Sequence, residues 1–266
     1  MRTATKTIKG IAIIIAIVLI VVIAYLFIQA ILFFGDTNKN KTINNKDINK
    51  NITDIVIDLK FASLTVDTCS KYRVDTDNEF VKVEVVDKKL RIKEKKHNPI
   101  TRKDTDSINL CLKDDAELNS IYLDMGAGKL KIDELNTKSA GFDLGAGSIE
   151  LNKLNITDQF KLDGGAGSIN IDNSVLNNSE IDLGVGVLNF TGRLLGETKV
   201  EGGIGSINMT IIDNKDNYKF VVDKGIGRVT IDGTNYSNTT FGEGANLIKL
   251  ETGIGSATII FKNNEL

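Results

Sequence analysis

Residues 142–151 read Phe-Asp-Leu-Gly-Ala-Gly-Ser-Ile-Glu-Leu, FDLGAGSIEL, and the parity of this stretch decides the fold. Phe142, Leu144 and Ala146 put apolar side chains on even positions, whereas Ile149 and Leu151 put them on odd ones. Successive strand residues face opposite ways, so a flat strand cannot change its apolar face partway without an extra residue. A bend can do so where a residue accepts unusual backbone angles, and Gly145 and Gly147 stand at the switch. The stretch therefore reads as a corner, at which the ribbon turns and keeps its apolar side enclosed.

The same corner recurs. Gly-x-Gly stands at Gly126/Gly128, Gly145/Gly147, Gly165/Gly167, Gly184/Gly186, Gly203/Gly205, Gly225/Gly227 and Gly253/Gly255, at offsets of 19, 20, 19, 19, 22 and 28 residues. One such unit buries too little apolar surface to stand alone, so the units must stack. Stacking puts equivalent residues in columns about 4.8 Å apart. The column between the glycines (Ala127, Ala146, Ala166, Val185, Ile204, Ile226, Ile254) is expected inside. The column three residues past the second glycine (Lys131, Glu150, Asn170, Asn189, Asn208, Thr230, Thr258) is polar throughout and expected outside. The expected fold is all-β, a parallel β-solenoid (single-stranded β-helix) with one coil per repeat and a new strand after each corner. An antiparallel meander with Gly-x-Gly at its hairpin turns is the alternative. Hairpin tips favour Asn-Gly or Asp-Gly, which these corners lack.

Upstream, the chain divides by composition. Residues 11–34, IAIIIAIVLIVVIAYLFIQAILFF, carry no charge, and as a helix would span about 36 Å, enough to cross a bilayer. A cleaved signal peptide is the rival reading, but its apolar region should be shorter, with small residues at −3 and −1 of the cleavage point. Arg2, Lys6 and Lys9 precede the run, so the positive-inside rule keeps residues 1–10 cytoplasmic and exports the remainder. The expected location is the cell membrane, single-pass, with an extracellular C-terminal domain. Residues 35–50, GDTNKNKTINNKDINK, read as a polar tether. Residues 51–266 form the expected ectodomain, with clear repeats from about residue 119. Without the three N-terminal cations the 33 basic residues fall to 30 against 35 acidic, a balance that argues against nucleic acid as a partner.

An acid stands two residues before the first glycine of every corner: Asp124, Asp143, Asp163, Asp182, Glu201, Asp223 and Glu251. Stacked carboxylates repel one another unless compensated. Corner N–H groups or Ser148, Ser168, Ser206 and Ser256 can donate to them, or a file of divalent cations such as Ca²⁺ can lie along them. The calcium-binding Gly-Gly-x-Gly-x-Asp pattern fails, because Ile169 follows Gly164-Gly165-Ala166-Gly167-Ser168. Phosphate cradling by the glycines is disfavoured, since a strand and not a helix follows each pair. Catalysis has little to draw on: His97, in KEKKHNPITRK, is the sole histidine, and no cofactor motif is present. Cys69 and Cys111 are a candidate disulfide in an exported domain, with two free thiols the other reading.

FDLGAGSIEL, KLDGGAGSINI, KVEGGIGSINM and the preceding ITDIVIDLKFASLTVD make residues 51–266 resemble the bacterial "putative adhesin" family, membrane-anchored proteins with a domain of unknown function. The resemblance implies a right-handed solenoid in the bacterial envelope and offers no catalytic residue. Expectation is thus a non-enzymatic surface protein, bound to the membrane through its N-terminal helix and engaging a protein or envelope polymer. Its solenoid ends are open to end-to-end self-association. The alternative is an envelope-stress or signalling accessory acting through its helix, for which Gln29 within the apolar run is the one polar handle.

Overall fold

The computed structural model describes residues 44–48, 50–95 and 106–263, all within the compact unit Lys41–Leu266. Among the described residues there is no α-helix and no helix able to cross a membrane. The apolar run 11–34 lies outside them, as do His97 and the loop around it.

Thirteen strands form one open sheet. β1 (Asn44–Ile48), β2 (Asp54–Cys69), β3 (Tyr72–Thr76), β4 (Val81–Val86), β5 (Lys89–Glu94) and β6 (Asp106–Lys113) build one end, called the head. β7 (Leu118–Ile132), β8 (Leu135–Asn152) and β9 (Leu154–Ile211) form the middle. β10 (Tyr218–Ile231), β11 (Thr234–Tyr236), β12 (Thr239–Phe241) and β13 (Asn246–Phe261) build the tail. Laid straight, the 58 residues of β9 would reach roughly 190 Å at strand rise. Instead the ribbon bends and returns beneath itself, so that Gly184 lies over Gly165 and Gly203 over Gly184.

Each pass is parallel to and in register with its neighbours in the stack. Ala146 pairs with Ala127 on one side and Ala166 on the other. A pass contains three short straight segments, seen in β8 as Leu135–Thr137, Ala140–Leu144 and Ile149–Leu151, each burying alternate residues. The bends between them fall at a register shift by Thr137/Ser139, at Gly145–Gly147, and at Lys153, whose φ is 50°. Alternation within each segment and reversal of phase across each bend keep Leu and Ile pointing inward all the way round. Phe142 and Phe160 meet edge to face in this core at 5.9 Å.

Four expectations are corrected. The residue between the corner glycines does not enter the core: none of the seven is fully buried, and Ile226 and Ile254 are 74% and 51% exposed. The inner angle is filled by the apolar residue further along, since a Cβ added to Gly164 or Gly202 would meet Ile169 or Ile207 at 2.7 and 2.8 Å. Nor do the corner glycines divide one strand from the next. Gly186, expected between two strands, lies inside the unbroken β9, as do Gly165, Gly167, Gly184, Gly203 and Gly205, because the extended ribbon bends there without ending. The polar stretch 35–50 is not all tether, because β1 pairs antiparallel with β3 and buries Ile48. Finally, the passes do not stack in chain order. β13 inserts between β9 and β10, parallel to both, leaving β10 outermost.

Both ends are covered. At the head, β5 and β6 pair with β2, and β4, β3 and β1 follow antiparallel. At the tail, β11 and β12 pair antiparallel with β10. Tyr236 stacks on Phe241 at 4.2 Å and Phe241 on Phe220 at 5.0 Å, closing the apolar interior. Cys69 and Cys111 form a disulfide that ties β2 to β6, Cys111 being buried.

Candidate functional site: the corner face

The glycines are required by what lies beneath them. A Cβ added to Gly147 would fall 1.8 Å from the Gly128 carbonyl oxygen, and one added to Gly167 1.8 Å from that of Gly147. Gly186 repeats the contact on Gly167, again at 1.8 Å, and so does Gly205 on Gly186. The second glycine of each pair also has φ between 139° and 148°, which L-residues rarely adopt. The first pass is the exception that explains the rule. Lys60, Phe61 and Ala62 are in register with Gly126, Ala127 and Gly128, and among the described residues no ladder strand lies beneath Lys60 and Phe61.

Register also brings the carboxylates into one column, and extends it. In order along the stack it runs Asp58, Asp124, Asp143, Asp163, Asp182, Glu201, Glu251 and Asp223. Asp58 was hidden from sequence reading because its pass lacks the glycine marker; only alignment of ITDIVIDL with the later repeats would have found it. Compensation comes from lysines at the two ends. Lys93 and Lys60 contact Asp58 at 2.7 and 3.1 Å, and Lys199 bridges Glu201 and Glu251. The hydrogen bond from Lys93 accordingly holds the Asp58 carboxyl below its usual range, with Lys60 adding to it. In the middle the balance reverses. Partial burial, then the charges of Asp163 and Asp124, push Asp143 up; burial, then Glu201 and Asp163, push Asp182 up.

Beyond the corner the polar column is built of matched amides. Asn208 donates to Asn189 at 3.0 Å and Asn189 to Asn170 at 2.8 Å. Between the columns runs an apolar rim, from Phe61 through three alanines to Val185, Ile204, Ile254 and Ile226. A groove of about 350 Å³ opens beside its bulky end, lined by Asp182, Glu201, Glu251, Asp223 and glycine backbone. Its glycines include Gly184, Gly203, Gly225 and Gly253, the first of each pair; Gly186, the second, does not line it and serves the turn alone. Among the described residues no group of three or more His, Cys, Asp or Glu is placed to hold a metal ion. The geometry lends the cation-file reading no support. What the face can do is offer a line of negative charge alongside an apolar strip, on a backbone held rigidly by its own ladder.

A repeat-built all-β domain with an ordered outer face and shallow grooves belongs to the class of β-solenoid-like domains. Residues 43–245 match the Toastrack DUF4097 family model, and the chain belongs to that family. Similar solved structures include a "putative cell adhesion protein" from Clostridium sporogenes, 19% identical, covering 83% of this chain and 99% of that one with a TM-score of 0.40. A "putative adhesin" from Bacteroides fragilis is 14% identical, over 83% and 98% of the two chains, with a TM-score of 0.39. A "putative lipid binding protein" from Parabacteroides distasonis is 14% identical, over 84% and 98%, with a TM-score of 0.29. No curated protein matches the chain.

Proposed function

We propose that the chain is a non-enzymatic, membrane-anchored cell-surface protein, and that the corner face is the surface it presents to a cationic protein or envelope polymer. The observation that carries this is the column of carboxylates lying parallel to an exposed apolar rim. Like charges stacked at strand spacing raise one another's pKa, and a cationic partner would relieve that repulsion. Two further observations favour export. The uncharged run 11–34 is long enough to span a bilayer, and the Cys69–Cys111 bond belongs to an oxidising compartment. The N-terminus is then cytoplasmic and the domain extracellular.

The test uses the full chain in nanodiscs and poly-lysine as a probe of cationic partners. Wild type should bind, and more weakly as salt rises. Replacing Asp124, Asp143, Asp163 and Asp182 by Asn should weaken binding at least tenfold. Neutralising four acids elsewhere (Asp213, Asp216, Asp232, Glu243) should leave it near wild type. Equal losses in the two variants would reduce the face to ordinary surface charge and overturn the proposal.

A further inference from the structure

A stacked ladder has two ends, and the outermost pass at each carries backbone donors and acceptors that, inside, are used by the next pass. The cap strands here are straight, so they cover straight segments and miss the bend. At the head, β5 covers Asp54–Asp58 and β6 covers Ala62–Cys69, leaving residues 59–61 between them. At the tail, β12 covers Phe220–Val222 and β11 covers Val229–Ile231, leaving residues 223–228. The tail gap falls on the glycine corner; at the head, residues 96–105, which join β5 to β6, lie outside the described residues. Because this ladder pairs like with like throughout, the tail gap is a surface at which a second copy of the chain could join.

We infer that two side chains, Lys224 and Asn238, close the tail gap and keep copies of the chain from joining through it. At the head, Glu94 is the last residue of β5 and only 2% exposed. Its Oε2 accepts the Lys60 backbone N–H at 2.7 Å. At the tail, the Lys224 backbone N–H donates to Asn238 Oδ1 at 2.9 Å, and the Lys224 ammonium donates to the Gly227 carbonyl at 3.1 Å. Each tail side chain takes a hydrogen-bonding position that an added strand would use. The chemistry is matched: an amide oxygen meets an orphan donor and an ammonium meets an orphan acceptor. The head differs in its backbone as well. Its corner carries Lys60 and Ala62 in place of glycines, and neither has positive φ, so it does not offer the backbone that every other corner offers. In the tail gap Ile226 stays 74% exposed.

The experiment is light scattering on the full chain in detergent micelles over a hundredfold concentration range, with Ile226→Cys as a cross-linking reporter. The otherwise wild-type chain should hold the protein mass of one copy throughout and give no cross-link at position 226. Lys224→Ala with Asn238→Ala, both on the accessible side of the tail, should produce concentration-dependent dimers that cross-link through position 226. Two results would overturn the inference. One is a wild-type chain that already pairs through Ile226. The other is a double variant that stays a single copy while its circular dichroism and melting show it folded.

Discussion

The glycine corner and the corner that follows it turn the same ribbon by different means. At Gly-x-Gly the obstacle lies between passes: a Cβ on any of the paired glycines would come within 1.6 to 2.8 Å of a carbonyl oxygen in the neighbouring pass. At the next bend the obstacle is local. Lys153 and Asn173 sit at φ 50°, in the left-handed region that ordinary residues enter at modest cost. Packing between coils fixes a residue type; a local turn only favours one. Repetition is therefore strict at the first corner and loose at the second.

The sharpest way to break that contrast is to mutate both. Gly167→Ala adds a Cβ at φ 147° against the Gly147 carbonyl and should cost about 4 kcal/mol or more, read by urea unfolding. Lys153→Gly should shift stability by less than about 1 kcal/mol, relief of φ offsetting chain entropy. Equal effects would erase the distinction. In the first pass the chain runs straight on where the second corner would come, and the Cys69–Cys111 bond, spanning 42 residues, secures it. Replacing both cysteines by serine should cost about 3 kcal/mol, with the lower denaturation midpoint reproduced by reducing the wild type.

The smallest effect contrasts the ends of the carboxylate column with its middle. Asp143 has a raised folded pKa, so the native state binds more protons than the unfolded chain just above the ordinary aspartate value of 3.8. Stability is thus lost as pH rises through that window, and the penalty is complete at neutral pH. Asp58 is lowered, so its contribution is present above 3.8 and lost as pH falls through its folded pKa. At pH 7, Asp143→Asn should stabilise by about 0.5 kcal/mol after screening by solvent, and Asp58→Asn should destabilise by a similar amount. Below about pH 3 both differences should shrink. The same sign for both would show that register does not govern the column.

How much of this was legible follows from the same contrast. The glycine corners announce themselves because no other residue satisfies their packing, and the switch in apolar parity says which way they bend. Lys153, Asn173 and Asn178 leave no such mark, because left-handed φ does not exclude other residues. Asp58 went unseen for want of glycine in its pass. The residue between the glycines was placed inside by parity alone, whereas the side chains of Ile169 and Ile207 already fill the angle. Spacing counts residues and not neighbours, so the offsets of 22 and 28 could not reveal that the last two passes exchange places.

That exchange limits how such a chain can grow. The final strand is a wedge driven between two earlier layers, bonded on both flanks, and the layer beyond it was laid down first. A unit appended after Phe261 would find both flanks of β13 already taken. A longer version of this molecule has to arise by duplicating an interior layer such as β8, whose departure and arrival points already match. Its length is written in the middle of the stack, where like layers repeat.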